Sequence, residues 1–369
     1  MTKFFTIGPV EIEPEILQIG ARNDLYFRDD QFASMVRMDL DDLCELVGAP
    51  EGSKAAILTA SGSAGMEAAV INLFDRKSLV VAVDGGTFGK RFVRICQAHQ
   101  IPCETLILDA GRSLTEAHLE GVCHRSPTGL LLCAHETSTG QAYDLDLAGR
   151  YCRRRDMLLV VDAISSILAD PIDMTGQSID ALIFSANKGM ALLPGLAFIV
   201  FSPKALSRIT RPDCFYLDLS QYFESANRGH TPFTSATAQI VMLHERLKRL
   251  EATGGATAAV ERTAKLAAGF RSTIADAGLA PFSERPSNAA TGILLPDGLA
   301  AQLYRSMRDK YGCYVNPPTF GFGRDIVKIG HLGCLTAADL ALLADRLIDE
   351  LNAAGFVRRL RDARGLRST

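Results

Sequence analysis

Leu158-Leu159-Val160-Val161-Asp162 and Ala181-Leu182-Ile183-Phe184-Ser185-Ala186-Asn187-Lys188 share one pattern: a short, apolar run that leads to a charged residue. Runs of this length with no polar alternation read as strands buried on both faces of a mostly parallel sheet. Five more surround them, at Ala55–Thr59, Leu79–Val83, Thr105–Leu108, Gly129–Cys133 and Leu196–Phe201. Helical patterns fall between, at Met66–Leu73, Gly89–Ala98 and Leu145–Arg154, the last closing on the arginine-rich turn expected near a helix C-terminus. Repeated β–α order implies right-handed crossovers and an open α/β sheet with helices on both faces. Ligands of such sheets sit beyond the carboxyl ends of the strands, where Asp162 and Lys188 fall.

From about Ala236 the texture changes. Two long helices, Ala236–Glu251 and Ala258–Ala277, are separated by the Gly254-Gly255 break. A strand at Gly292–Leu295, a helix at Leu299–Lys310 and strands at Cys313–Val315 and Ile326–Ile329 follow. A last helix runs from an N-cap at Thr336 to a stop at Gly355. At 369 residues the chain is too long for one small core. The expected division is a large domain over 15–240 and a smaller α+β domain over 241–369, with residues 1–14 packing near the site.

A formal net charge of −3 provides no field to draw the chain to nucleic acid or an anionic membrane, so neither is expected as a partner. The basic run Arg358, Arg359, Arg361, Arg364, Arg367 reads as a solvated tail. No stretch approaches the roughly 20 apolar residues of a membrane helix, and residues 1–11 lack the apolar core of a signal peptide. Nine scattered cysteines include no C-x-x-C pair, so neither a disulfide framework nor a zinc site is suggested, and no metal is expected. A reducing cytoplasm is the simplest location.

Three constellations carry chemistry. Ser61-Gly62-Ser63-Ala64-Gly65 follows a strand and opens a helix, where backbone N–H groups and small residues make a phosphate site. Small residues in such turns are more often structural. Asp162 ends a buried strand, and an ionised acid there needs a cation or a cap. Lys188, 26 residues on, stands just past another buried strand, where desolvation lowers an amine's pKa as a Schiff-base lysine requires. A lone lysine would more often snorkel to solvent. One cofactor needs all three groups: pyridoxal 5′-phosphate (PLP), with its phosphate, its ring nitrogen and its aldehyde.

The chain resembles the class V branch of the PLP-dependent aminotransferases, with the aspartate aminotransferase-like fold. Its look-alikes are 2-aminoethylphosphonate–pyruvate and alanine/serine–glyoxylate aminotransferases. The motifs, in chain order, are Thr6-Ile-Gly8-Pro9-Val10, Ser61-Gly-Ser-Ala-Gly-Met-Glu67-Ala-Ala, Gly85-Gly-Thr-Phe88-Gly89 and His135-Glu136-Thr137-Ser138-Thr139-Gly140. Then come Val161-Asp162-Ala163-Ile-Ser-Ser166, Ser185-Ala-Asn187-Lys188, Thr231-Pro-Phe-Thr234 and Lys328-Ile-Gly330-His331-Leu-Gly333. The resemblance implies that Ser61, Gly62 and Ser63 bind the phosphate, that Phe88 lies on the pyridine ring and that Thr137 reaches the ring hydroxyl. It further implies Asp162 on the ring nitrogen and Lys188 as the Schiff-base and proton-moving lysine. Thr231, with Arg228 as a helper, would come from the other subunit to the phosphate, making a homodimer with shared active sites. The partners implied are a small amino donor and a 2-oxo acid, with Gly8 and Lys328 near the substrate and Arg28 as a further substrate-binding candidate.

One position departs from the family pattern. Lys328 stands where members that bind an α-carboxylate carry arginine, and lysine keeps the charge but loses the two-pronged geometry. Either the acid is held more loosely, Arg28 or Arg324 substitutes, or the substrate is no ordinary α-amino acid. Another PLP chemistry (lyase, desulfurase or epimerase) would use the same cofactor site. Phe88, rather than histidine, at the stacking position speaks against a desulfurase. A nucleotide-binding dehydrogenase shares the α/β alternation, but no G-x-G-x-x-G opens the first helix.

Overall fold

The computed structural model describes residues 2–21, 26–122, 126–318 and 325–357. Arg324, Cys123 and the basic run Arg358–Arg367 lie outside them.

Seven strands form the central sheet: β1 (Lys54–Thr59), β2 (Val80–Asp84), β3 (Cys103–Ile107), β4 (Gly129–Cys133), β5 (Leu158–Asp162), β6 (Ala181–Ser185) and β7 (Leu196–Phe201). Their order is β1-β7-β6-β5-β4-β2-β3. Only β7 runs against its neighbours; the other pairings are parallel. All seven apolar runs read from the sequence are these strands, within two residues at their ends. Their unbroken hydrophobicity has a direct cause, since both faces are covered. One face carries Ile57, Val81, Leu130, Leu159, Leu182 and Phe198, packed under the helices Asp30–Leu46, α3 (Leu145–Arg154) and α4 (Thr237–Ala252). The alternate residues Leu58, Val80, Leu131, Val160, Ile183 and Ile199 pack under α1 (Gly62–Leu73) and α2 (Gly89–Ala98). Each fully buried aliphatic side chain contributes about 1.5–3 kcal/mol, so alternation of period two secures the sheet from both sides.

Two helices begin earlier than their patterns suggest. α1 starts at Gly62 rather than Met66 because the small residues allow it to lie directly on the sheet: a Cβ on Gly65 would approach Ile183 Cγ2 to 2.9 Å. The Gly254-Gly255 break is a corner of two left-handed residues, φ 97° and 69°, after which α5 (Gly255–Asp276) begins at once.

A third core, with Phe270, Ile274, Ile293, Val327, Leu343 and Leu347, holds the C-terminal part. Here β8 (Ala290–Leu294) pairs antiparallel with β9 (Ile326–Gly330), and Lys3–Phe5 pairs parallel with Cys313–Val315. The final helix Ala337–Ala353 opens at the expected cap, a capping box between Thr336 and Asp339. The expected seam at 240/241 falls inside α4, whose Ile240, Leu243, Leu247 and Leu250 join the core beneath the sheet. From the small sheet the N-terminal segment crosses back to the large one: Ile7 N–H donates to Asn316 Oδ1 (2.7 Å), and Gly8 lies against Lys188.

Candidate active site

The carboxyl ends of β5 and β6 are neighbours, with Asp162 opposite Ile183 in the register. Asp162 thus ends one strand while Lys188 follows three residues after the end of the next. The Asp162 carboxylate is 5% exposed; it accepts the Ile164 N–H at 2.8 Å and the Cys133 thiol at 3.5 Å. Burial, only partly offset by those donors, pushes its pKa up to about 6. Lys188 is half-buried, and burial lowers its pKa to about 8 against the opposing pull of Asp162. A Cβ on Gly8 would lie 2.9 Å from the Asn187 carbonyl oxygen and 2.7 Å from Lys188 Cε, so a larger residue would displace the lysine or the turn that carries it.

The cradle turn meets the same strand ends. A Cβ on Gly62 would lie 2.6 Å from Ile164 Cδ1 and 3.4 Å from Ser185 Cβ, so only glycine lets α1 begin at this depth. Ser61 is the N-cap of α1, yet its hydroxyl makes no capping bond and the first turn carries no acid. The positive end of a 12-residue helix is therefore left available to an anion. Ser63 Oγ accepts a hydrogen bond from Arg91 Nη1 at 2.8 Å.

Phe88 is held at the start of α2 by a buried carboxylate. Glu136 accepts the N–H groups of Phe88 (3.1 Å), Gly89 (2.9 Å) and Ser138 (3.2 Å), and the Ser138 hydroxyl as well. Arg91 places its guanidinium carbon 4.8 Å from the Phe88 ring centroid. Thr137 joins a buried hydroxyl chain, in which its Oγ1 meets Ser165 Oγ at 2.7 Å and Ser165 meets His135 Nδ1 at 3.0 Å. Lys328, in the middle of β9, is 3% exposed; burial lowers its pKa to about 8, and Glu136 is the charge that opposes this.

Ser61, Gly62, Ser63, Phe88, Thr137, Asp162, Lys188 and Gly8 are thus linked through contacts at one end of the sheet, and Lys328 feels the charge of Glu136 there. Three expected residues are not joined to this cluster by those contacts. Arg28 is exposed on a turn, with its guanidinium over Phe27. Arg228 is exposed, and Thr231 faces the start of β1, beside Ala55, Ala56 and Ile57.

Residues 28–297 match the family profile described as Aminotransferase class-V. The chain is a class V aminotransferase. Its relatives include a protein named soluble hydrogenase, small subunit, from a Synechococcus species, 29% identical over 82% of this chain and 81% of the relative. A 2-aminoethylphosphonate–pyruvate transaminase from Klebsiella pneumoniae is 27% identical over 92% and 95%. Among solved structures, an aspartate aminotransferase of subgroup IV from Thermus thermophilus superposes with a TM-score of 0.88 at 25% identity, over 95% of this chain and 99% of the other.

The class V aminotransferase therefore has the aspartate aminotransferase-like fold and takes PLP as its cofactor. The residues present fit that group, with an anion-ready helix end, a carboxylate whose burial calls for a cation, and an amine with a lowered pKa. Sequence reading gave no role to Glu136 or Arg91, although both stand inside quoted or adjoining motifs. Their partners, Phe88 and Ser63, are 48 and 28 residues away, and no local pattern announces such contacts. Ser165 and His135 carry no local signal for the same reason.

Proposed function

We propose that this class V aminotransferase moves an amino group from a small donor, of the 2-aminoethylphosphonate, alanine or serine type, to a small 2-oxo acid such as pyruvate or glyoxylate. The observation that carries this reading is the pairing of a buried carboxylate, Asp162, with a lysine of lowered pKa, Lys188, at adjacent strand ends. When bound, PLP supplies an aldehyde for amino groups and a ring that withdraws electrons from the substrate carbon. Asp162 would hold a proton on the ring nitrogen. Lys188 Nζ takes a proton from the carbon bearing the amino group and returns one on the other side of the reaction. Ser61, Gly62 and Ser63 would hold the phosphate with amides and hydroxyls, Phe88 would pack against the ring and Thr137 would bond the ring hydroxyl. Gly8 keeps the space around Lys188 open, and Lys328 offers its ammonium to the acid group of the substrate. A point charge on a flexible stem suits a tetrahedral phosphonate as well as a carboxylate, which favours the donor type named for the Klebsiella relative.

The same proposal includes a homodimer in which Thr231 and Arg228 serve the partner's phosphate. Support comes from their position: Thr231 faces the start of β1 while Ser61 follows its end. Nearby, Phe215 is 75% exposed and packs on Phe233, which stacks on Tyr216, an apolar surface suited to a second copy. We retain 15–240 and 241–369 as the two domains, with α4 spanning the seam. A reducing, cytoplasmic setting agrees with cysteines that are scattered along the sequence and form no C-x-x-C pair.

A donor-by-acceptor screen, with 2-aminoethylphosphonate, alanine and serine against pyruvate and glyoxylate, tests the reading by mass spectrometry. Amino transfer is expected for at least one pair. Donor consumption that needs no acceptor would point to a lyase instead.

A further inference from the structure

Arg91 stands in the first turn of α2, three residues after Phe88, and its guanidinium spans two parts of the site. Nη1 donates to Ser63 Oγ at 2.8 Å, and Cζ lies 4.8 Å from the Phe88 ring centroid. The side chain is half-buried, and among the described residues it forms no ion pair with a carboxylate. Other arginines of this chain are paired: Arg112 with Glu284, Arg154 with Glu116, Arg249 with Glu13 and Glu245. After burial and the nearer partners, Arg91 is among the charges that act on both Asp162 and Lys188, which places it in the field of the reaction centre. The cradle of α1, by contrast, contains only neutral donors in Ser61, Gly62 and Ser63. A phosphate carries nearly two negative charges at neutral pH, and a planar fork of N–H groups matches its oxygens.

We propose that Arg91 is a cation that grips the phosphate of the cofactor from within the same chain. It reaches over Ser63 to close the neutral cradle with a positive charge. The inference rests on the reading that Ser61, Gly62 and Ser63 hold the phosphate. It leaves Thr231 and Arg228 the separate task of completing the site from the partner. The Phe88 contact holds the guanidinium in place, so the fork is pre-organised before the cofactor arrives.

Pyridoxal, which lacks the phosphate, separates this role from a structural one. Affinities for PLP and for pyridoxal are measured by equilibrium dialysis on the cofactor-free chain and on R91Q and R91K. Wild type is expected to prefer PLP strongly. R91Q should lose about 10- to 100-fold in PLP affinity, the range of one charge-assisted hydrogen bond, with pyridoxal binding unchanged. R91K should fall between, because it keeps the charge without the fork. An equal loss for both aldehydes would overturn the inference, since Arg91 would then act through Phe88 or through folding. So would an R91Q protein with unaltered preference for PLP. A wild-type chain with no preference would instead bring down the cradle reading itself, and this inference with it.

Discussion

The Glu136 carboxylate accepts the backbone N–H of Phe88 at 3.1 Å and that of Gly89 at 2.9 Å, across 48 and 47 residues of sequence. This pair of bonds ties the loop that presents Phe88 to the strand end that presents Thr137. A carboxylate with no exposed surface is tolerable because backbone and hydroxyl donors surround it.

Glu136→Gln removes the charge and turns an amide NH2 toward some of those donors. A buried hydrogen-bond network with one mismatched partner costs about 1–3 kcal/mol. We expect urea unfolding to show a loss of that size, and dialysis to show faster release of the cofactor as Phe88 loses its frame. Unchanged stability and retention would mean that the loop holds its shape without Glu136.

Asp162 gives a pH-dependent prediction. Its folded pKa, raised by burial from 3.8 to about 6, favours the neutral acid. Its contribution to stability is therefore fully present below about pH 3.8 and is lost as pH rises through about 6. A positively charged ring nitrogen removes that penalty. The rise in melting temperature on adding PLP should thus be larger at pH 7.5 than at pH 5, and Asp162→Asn should flatten the difference. The same variant should lose about 10²–10⁴-fold in turnover. A pH dependence identical in both proteins would show that another group meets the ring nitrogen.

Lys328 should govern the Michaelis constant of the acidic substrate. Burial lowers its pKa to about 8, so the ammonium is lost as pH rises through 8 and the KM should climb there. Lys328→Ala should raise KM by an order of magnitude or more at neutral pH. Lys328→Arg keeps its charge and should abolish the alkaline climb. If Lys328→Ala leaves every KM unchanged, the acid is held elsewhere, and the exposed Arg28 becomes the next residue to vary.

Shared sites are testable by mixing chains. An inactive Lys188→Ala chain lacks only its own lysine, and an Arg228→Ala chain damages only its neighbour's phosphate site. Hybrid dimers of the two should therefore regain one sound site. Partial recovery of turnover on mixing is expected, and its absence would count against Arg228 reaching across.

Legibility of this protein in its sequence follows the range of the interactions. Each strand of the large sheet announces itself because burial on both faces leaves no polar position from Val80 to Val83 or from Leu158 to Val161. The helix Asp30–Leu46 gives little signal in the sequence, although Asp29 caps it and Phe32, Val36 and Leu43 mark one face. Its many acids masked a narrow apolar stripe. At the site, Asp162 and Lys188 stood out because each follows an apolar run. Arg91 and Ser165 did not, since what makes them part of the site is a partner 28 residues away in each case. The antiparallel insertion of β7 between β1 and β6 had no local signature either, because direction is decided by how the chain returns, not by composition.

The central claim is that Lys188 carries the cofactor. Borohydride reduction of the PLP-loaded protein, followed by peptide mass mapping, tests it most directly. With a pKa near 8, Lys188 should label with a pH midpoint well below that of an ordinary lysine at 10.5. The account predicts a single reduced label on Lys188, and neither label nor turnover in Lys188→Ala. A label on another lysine, or a Lys188→Ala protein that still transfers amino groups, would contradict it.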